Sequence, residues 1–261
     1  MTGASFLRTA GAVWLLLLAG AATAQVRLLT GPTPIPRGNA HAARDLTLLN
    51  EKLAVAIAVE SAMPYGVPRG AIIDAAPVSA GRIGRDRVVF ADFIPNNWSA
   101  WPNTHQRVTV LEQTSQRVRV QAERDWGKVR IRTEYSLADH ADAVDMLTTM
   151  TNESDAPIND LLSGMTLWQN SGYFFSVPGL AGVEEGSAAT ALSDRISAYD
   201  EDWSITLHAG YLDHIGSDGY DLFRRHSLAA GASASFRAQL QIGSRGDLAP
   251  VMAAEIERKQ L

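Results

Sequence analysis

The alternation running through residues 126–168 constrains this chain more than any other feature. In 128–137, Val129, Ile131, Thr133 and Tyr135 fall on one side and Lys128, Arg130, Arg132 and Glu134 on the other, the period-two mark of a half-buried strand. Residues 143–152 alternate again, with Val144, Met146, Thr148 and Met150 on one face. The links are polar: 138–142, and then 152–157, where Asn, Ser and Asp bond their own backbone and Pro157 presets φ. Residues 158–168 are apolar, interrupted by Ser163-Gly164. Three strands in a row with short links predict an antiparallel meander.

The remaining segments follow the same logic. Apolar runs at 46–49 and 53–59 surround Asn50-Glu51-Lys52 and predict a hairpin. Further strands are predicted at 71–74, 87–93, 107–111, 117–123, 173–177, 196–199, 204–208, 220–228 and 233–242. Short strands with turns every ~8–12 residues indicate a sandwich or barrel, and the missing βα alternation argues against a parallel α/β sheet. Only at the end does the period change. Asp247 is a plausible N-cap, and Leu248, Val251, Met252 and Ile256 have helical spacing. The expected class is therefore all-β, a large antiparallel β-sandwich (a supersandwich) with a C-terminal helix. Residues 247–261 read as that helix or as a linker, offering a contact for a further domain or partner protein.

Residues 1–24 read as a secretion signal: Arg8, an apolar stretch at 10–22, and Ala22-Thr23-Ala24 before Gln25. The apolar run is short for a membrane span, so the expected location is periplasmic or secreted, with no membrane partner once the signal is removed. Residues 25–43, with Pro32, Pro34 and Pro36, read as an extended leader, and 44–246 as the sandwich domain. The chain has no cysteine, so its core works without disulfides. A formal charge of -5 with no basic stripe argues against nucleic acid.

Sugars are held by flat aromatic faces and by amide, carboxylate and guanidinium groups. The loop Asn96-Asn97-Trp98-Ser99-Ala100-Trp101 offers both kinds, as do Asp125-Trp126 and Trp168-Gln169-Asn170. Asn96, Asn97, Trp98, Trp101, Asp125, Trp126 and Trp168 are the candidate sugar platform, each set against the plainer reading of a turn residue or a core aromatic. Convergence of these tryptophans on one face is the sign of a sugar groove. No metal site and no cofactor are expected: His41, His105, His140, His208, His214 and His226 form no H-x-H or H-x-x-x-H pair. Nucleophilic catalysis lacks a G-x-S-x-G elbow and a cysteine. Paired carboxylates for glycoside hydrolysis need a separation of about 5–10 Å, which Asp125 and one of Asp200, Glu201 or Asp202 reach only if the fold brings them together.

Tyr135-Ser136-Leu137, then Thr148-Thr149-Met150-Thr151-Asn152, then Pro157 resemble the strand series of the galactose-mutarotase-like superfamily. Leu49-Asn50 with Leu53-Ala54-Val55 resembles its first hairpin, and residues 236–243 followed by Asp247 its closing strand. The resemblance implies a supersandwich of a kind that commonly handles sugars. In mutarotases a histidine follows the asparagine-containing strand and a glutamate near the end acts as base. Residues 160–168 hold no histidine here, and the nearest later acids are Glu184 and Glu185, so the epimerase machinery does not carry over. The chain is also similar to the leading portion of large secreted bacterial proteins, some continuing into a PHP-type metallohydrolase whose metal-binding part is not in this sequence. The leading expectation is a secreted, non-catalytic module, carbohydrate-binding or the front domain of a larger enzyme. The alternatives are an epimerase- or lyase-like enzyme with a non-standard acid/base pair, and a surface or assembly protein.

Overall fold

The computed structural model describes residues 25–98, 101–102, 104–170, 174–176, 195–210, 214–216 and 220–260. The first strands are β1 (Arg27–Thr30), β2 (Leu46–Leu49), β3 (Leu53–Ile57), β4 (Ile72–Ser79), β5 (Arg82–Ile83) and β6 (Val88–Ile94). The middle of the chain forms β7 (Thr104–Gln113), β8 (Arg117–Trp126), β9 (Val129–Ala138), β10 (Ala143–Asn152) and β11 (Ile158–Gln169). Then come β12 (Phe174–Ser176), β13 (Arg195–Asp200), β14 (Trp203–Ala209), β15 (His214–Gly216), β16 (Asp221–Leu228), β17 (Ser233–Gly243) and the helix α1 (Ala249–Lys259). No described helix is long and apolar enough to cross a membrane.

Two antiparallel sheets result, as the alternation predicts. The first runs β1-β2-β3-β4-β6-β11-β16-β15 with β5 beside β4, and the second β12-β13-β14-β17-β10-β9-β8-β7. Inward side chains of both sheets form one core, including Leu48, Val55, Phe93, Met165 and Leu222 from the first and Val120, Ile131, Met146, Leu207 and Phe236 from the second. Phe93 meets Phe236 across the layers with ring centroids 4.9 Å apart.

The expected meander needs correction. β8, β9 and β10 do pair in succession, but β11 leaves that sheet and pairs with β6 and β16 in the other. The turn after β10 is a crossover. Asn152, fully buried, donates its amide to Ala156 O at 2.8 Å, Leu228 O at 3.3 Å and Ala229 O at 3.1 Å. It thereby binds this crossover to the link between β16 and β17, where the chain changes sheets again. Once in the first sheet, β11 needs Gly164: a Cβ there would lie 1.8 Å from the Leu222 carbonyl oxygen. At the opposite end, Asn50 donates to Ala138 O at 3.0 Å and Ala141 O at 2.8 Å, joining the β2–β3 turn to the β9–β10 turn.

Residues 25–43 are part of the body. β1 pairs with β2, and Ile35 and Ala40 pack on the outer side of Leu49, Ala54, Ala56 and Ile73. Strands β2 and β3 are therefore buried on both faces, which is why they read as continuous apolar runs and not as alternating ones. Asp74 holds the leader by accepting from the amides of Asn39 at 2.5 Å and Ala40 at 3.0 Å.

Helix α1 lies against the outer side of β14 and β17. It starts at Ala249, whose amide donates to Asp247 Oδ1 at 2.8 Å. Glu255 is the fastener: its carboxylate meets His208 Nδ1 of β14 and takes Arg258 Nη2 at 2.7 and 2.9 Å.

The interior also contains a charged pair. Arg124 of β8 and Asp92 of β6 are both without solvent contact and bond twice, at 2.6 and 2.8 Å, from one sheet to the other. Burial works against the Arg124 charge, but Asp92 outweighs it and raises the guanidinium pKa. Beside them Tyr135 donates to Gly70 O at 2.9 Å. Asp92→Ala strands a buried cation and is expected to cost about 3–5 kcal/mol of unfolding free energy. Replacing both partners by apolar residues of similar volume is expected to recover most of that loss. Urea denaturation of the two variants checks it, and a double variant as unstable as the single one would contradict it.

Candidate functional site

Strand parity places Trp168. Its neighbour Leu167 is in the intersheet core, so Trp168 faces the outer side of the first sheet. Directly across the β6–β11 pairing stands Phe90, with the rings stacked at 5.7 Å and 19°. A bulge at this point, between Trp168 and Gln169, brings Phe90 to that side while Val88 and Ala91 remain in the core. Tyr220, just before β16, stacks on Trp168 from another side at 5.2 Å. Trp98 makes an edge contact at 5.6 Å, and Tyr65 leans over it at 5.5 Å. Trp168 is thus the hub of four rings. Trp101 completes the group against Trp98 at 5.2 Å and Phe90 at 6.2 Å. Tyr65 is 74% exposed, while Trp98, Trp101, Trp168 and Tyr220 are half-buried.

The loop after β6 is folded onto β11 by its asparagines. Asn96 Oδ1 accepts from Leu162 N at 3.1 Å, and Asn97 N donates to Leu162 O at 2.6 Å. Asn97 adopts φ 45°, a conformation that asparagine tolerates better than most residues, and its Oδ1 accepts from Trp98 N at 2.8 Å. Trp98 Nε1 donates to Asp221 of β16. Trp168 Nε1 is buried and has no hydrogen-bond partner among the described residues.

Of the seven candidate residues, Trp98, Trp101 and Trp168 come together, and Asn96 and Asn97 shape the loop that brings them there. Asp125 and Trp126 do not join them. They end β8 in the second sheet, ahead of a two-residue turn with Gly127 at φ +58°, and Trp126 packs against the intersheet core. Ser99, Ala100, Glu184 and Glu185 lie outside the described residues. Tyr65, Phe90 and Tyr220 were not anticipated. For Tyr65 the available signal was an aromatic between Pro64 and Gly66, at a turn tip with nothing apolar in sequence to cover it.

Two other groups of reactive side chains are engaged structurally. His226 Nε2 meets Ser163 Oγ at 2.7 Å, but the serine hydroxyl donates to Pro95 O. Burial first, and then Arg224, lower the His226 pKa to about 4, so the neutral ring donates to a serine whose own proton is already committed. Glu51, Asp139 and His140 have ligand atoms within 4.8 Å of one another. Both ring nitrogens of His140 face carboxylates, Glu51 at 2.6 Å and Asp139 at 3.3 Å. The Glu51 hydrogen bond raises the His140 pKa, and the set serves as an ion pair between two turns.

One carboxyl close to the end of β11 is strongly perturbed. Asp86 accepts from Ala75 N at 2.8 Å and Val88 N at 3.3 Å, and Asn170 Nδ2 donates to it at 3.0 Å. Burial pushes its pKa up to about 7; the Ala75 amide pulls it down and Asp74 pushes it up.

Among solved structures the chain is similar to a TPR-domain containing protein from Parabacteroides distasonis, at 12% identity and a TM-score of 0.53, over 85% of this chain and 54% of that one. It is similar also to an α-mannosidase from Enterococcus faecalis, at 11% identity and a TM-score of 0.52, over 90% of this chain and 32% of that one. A galactose mutarotase-like protein from Lactobacillus casei is a further neighbour, at 10% identity and a TM-score of 0.47, over 76% and 99% of the two chains. The first two likenesses are of fold, and the chain spans about half and about a third of those proteins. No protein-family model and no curated protein matches the sequence.

The raised Asp86 pKa has a definite consequence. The unfolded carboxyl ionises near its ordinary 3.8, while the folded one keeps its proton to about 7. The folded state binds more protons in that window, so this group's contribution to stability falls as pH rises from 3.8 to about 7. Asp86→Asn is expected to flatten that part of the stability profile, measured by urea midpoints between pH 4 and 8. An unchanged slope would contradict it.

Proposed function

We propose that this chain is an exported, non-catalytic carbohydrate-binding module, and that the rings around Trp168 are where a neutral sugar face rests. The observation that carries the reading is the exposed Tyr65 ring standing over Trp168, beside Tyr220 and Trp98. A half-buried apolar surface with an aromatic left in water is the kind of face that the C–H side of a pyranose covers. The orphan Trp168 N–H adds a donor that a small rearrangement would offer to a hydroxyl. The signal pattern of residues 1–24 supports export to the periplasm or beyond.

Two features favour binding over turnover. The histidine that the mutarotase resemblance implies after the asparagine-containing strand is missing, since residues 160–168 hold none. Asp86, the carboxyl that burial shifts to about 7, has its oxygens occupied by two backbone amides and Asn170. A second reading, in which the module belongs to a larger glycan-handling protein, is favoured by the α-mannosidase, of which a sandwich of this shape makes up about a third.

A glycan array followed by calorimetry tests the proposal. Wild-type protein is expected to retain neutral glycans, and Tyr65→Ala to weaken binding about tenfold, near the ~1.4 kcal/mol expected for one aromatic contact. Tyr65 is exposed, so the variant keeps its fold. A blank array, or affinity unchanged by Tyr65→Ala, would refute the assignment.

A further inference from the structure

The outer face of the second sheet carries a different kind of surface. It holds an open cleft of about 730 Å³. Pairing lines up Arg119 with Ser136, Ser136 with Asp145, Asp145 with Gln239, and Gln239 with His208. All of these stand on the outward parity, because their strand neighbours Val118, Val120, Tyr135, Val144, Met146, Ala238 and Leu240 are in the core. The result is a straight polar row across five adjacent strands, roughly 19 Å long at the usual strand spacing. At one end α1 forms a wall and presents Arg258.

The cleft gathers arginines on a chain whose formal charge is -5. Its lining includes Arg117, Arg119, Arg237 and Arg258 with Glu134 and Asp145; Glu112 reaches Arg119 at 3.5 Å and Glu255 holds Arg258 at 2.7 Å. Arg119 is held by Glu134 at 2.7 and 2.9 Å, and Arg117 reaches Glu112 only at 4.0 Å. Arg237 is exposed at the centre of the sheet, opposite Leu147 of β10, and its side chain makes no hydrogen bond or ion pair with any described residue. Nearby, Asp145 takes Gln239 Nε2 at 2.8 Å.

We propose that this face binds an anionic glycan, a chain of sugars bearing carboxylates, laid across the strands with a carboxylate on Arg237. Guanidinium forks suit carboxylates. Ser136, Gln239 and Asp145 supply donors and acceptors for hydroxyls, repeating at the strand spacing of about 4.8 Å, close to the length of one pyranose ring. An acidic peptide fits less well. The strands here are internal and already paired on both sides, so none accepts an added strand. The row also lacks the deep apolar socket that anchors a peptide. This site is separate from the rings around Trp168, and the proposal does not depend on them.

Affinity electrophoresis of the full chain tests it, with gels containing polygalacturonate or poly-L-glutamate. The expected result is retardation by polygalacturonate alone, weakening with added salt. Arg237→Gln is expected to reduce it about tenfold and Arg117→Gln less, while Arg82→Gln, at an exposed arginine of the first sheet, leaves it unchanged. All three arginines are exposed, so their removal spares the fold. No retardation by polygalacturonate, equal retardation by poly-L-glutamate, or full retardation of the Arg237→Gln variant would each overturn the proposal. Because Tyr65→Ala reports on the other face, failure of one site is read separately from failure of the other.

Discussion

Arg124 and Asp92 join the two sheets at a point where neither side chain touches water. Taking two charges out of solvent costs several kcal/mol each, and only near-ideal geometry offsets it. The doubled hydrogen bond, at 2.6 and 2.8 Å, therefore fixes the separation and register of β6 and β8 closely. Apolar side chains make the layers adhere, but they tolerate sliding; a bidentate pair does not. From β6 the chain runs into the tryptophan loop, and from β8 it runs through the β9–β10 hairpin to the crossover at Asn152. The position of the ring cluster is set by where this pair holds β6.

The two outer faces are treated differently. On the first sheet the chain covers itself: the leader lies over β2, β3 and β4, and the tryptophan loop lies over β6, β11 and β16. On the second sheet the outward positions include arginines, acids, serines, threonines and glutamines, with α1 over one end. A sheet with one face on the core and one in water needs no covering, and that freedom leaves a broad polar surface. The molecule therefore presents an aromatic surface on one side and an arginine-rich one on the other, with the core between them.

The reactive side chains described near the core and its edges are held in structural contacts. The serine and histidine that approach each other, Ser163 and His226, spend the serine proton on a backbone carbonyl. The perturbed carboxyl Asp86 ties three strands together, and Glu255 fastens the helix. Asp86, His226 and Glu255, each displaced from its ordinary range, are all engaged in structural contacts, one of the two common settings for such displacement.

The alternation of residues 128–152 was legible because each strand keeps one face in water, so period two survives in the residue types. So were the all-β class, most strand positions and the terminal helix. What sequence could not carry was which sheet a strand joins. β11, an apolar run after a short polar link, reads as the next meander strand, and only the packing of Asn152 against Leu228 and Ala229 and the close approach at Gly164 send it to the other layer. For the same reason Trp98, Trp101 and Trp168 could be proposed as neighbours while Trp126 could not be set apart from them. Phe90 and Tyr220 gave no local sign of belonging to that group, and Tyr65 only its place at a turn tip between Pro64 and Gly66. Periodicity is a property of one segment against solvent, and the chain states it directly; partnership between segments far apart in sequence depends on which buried polar groups find each other, and that is decided only when the layers close.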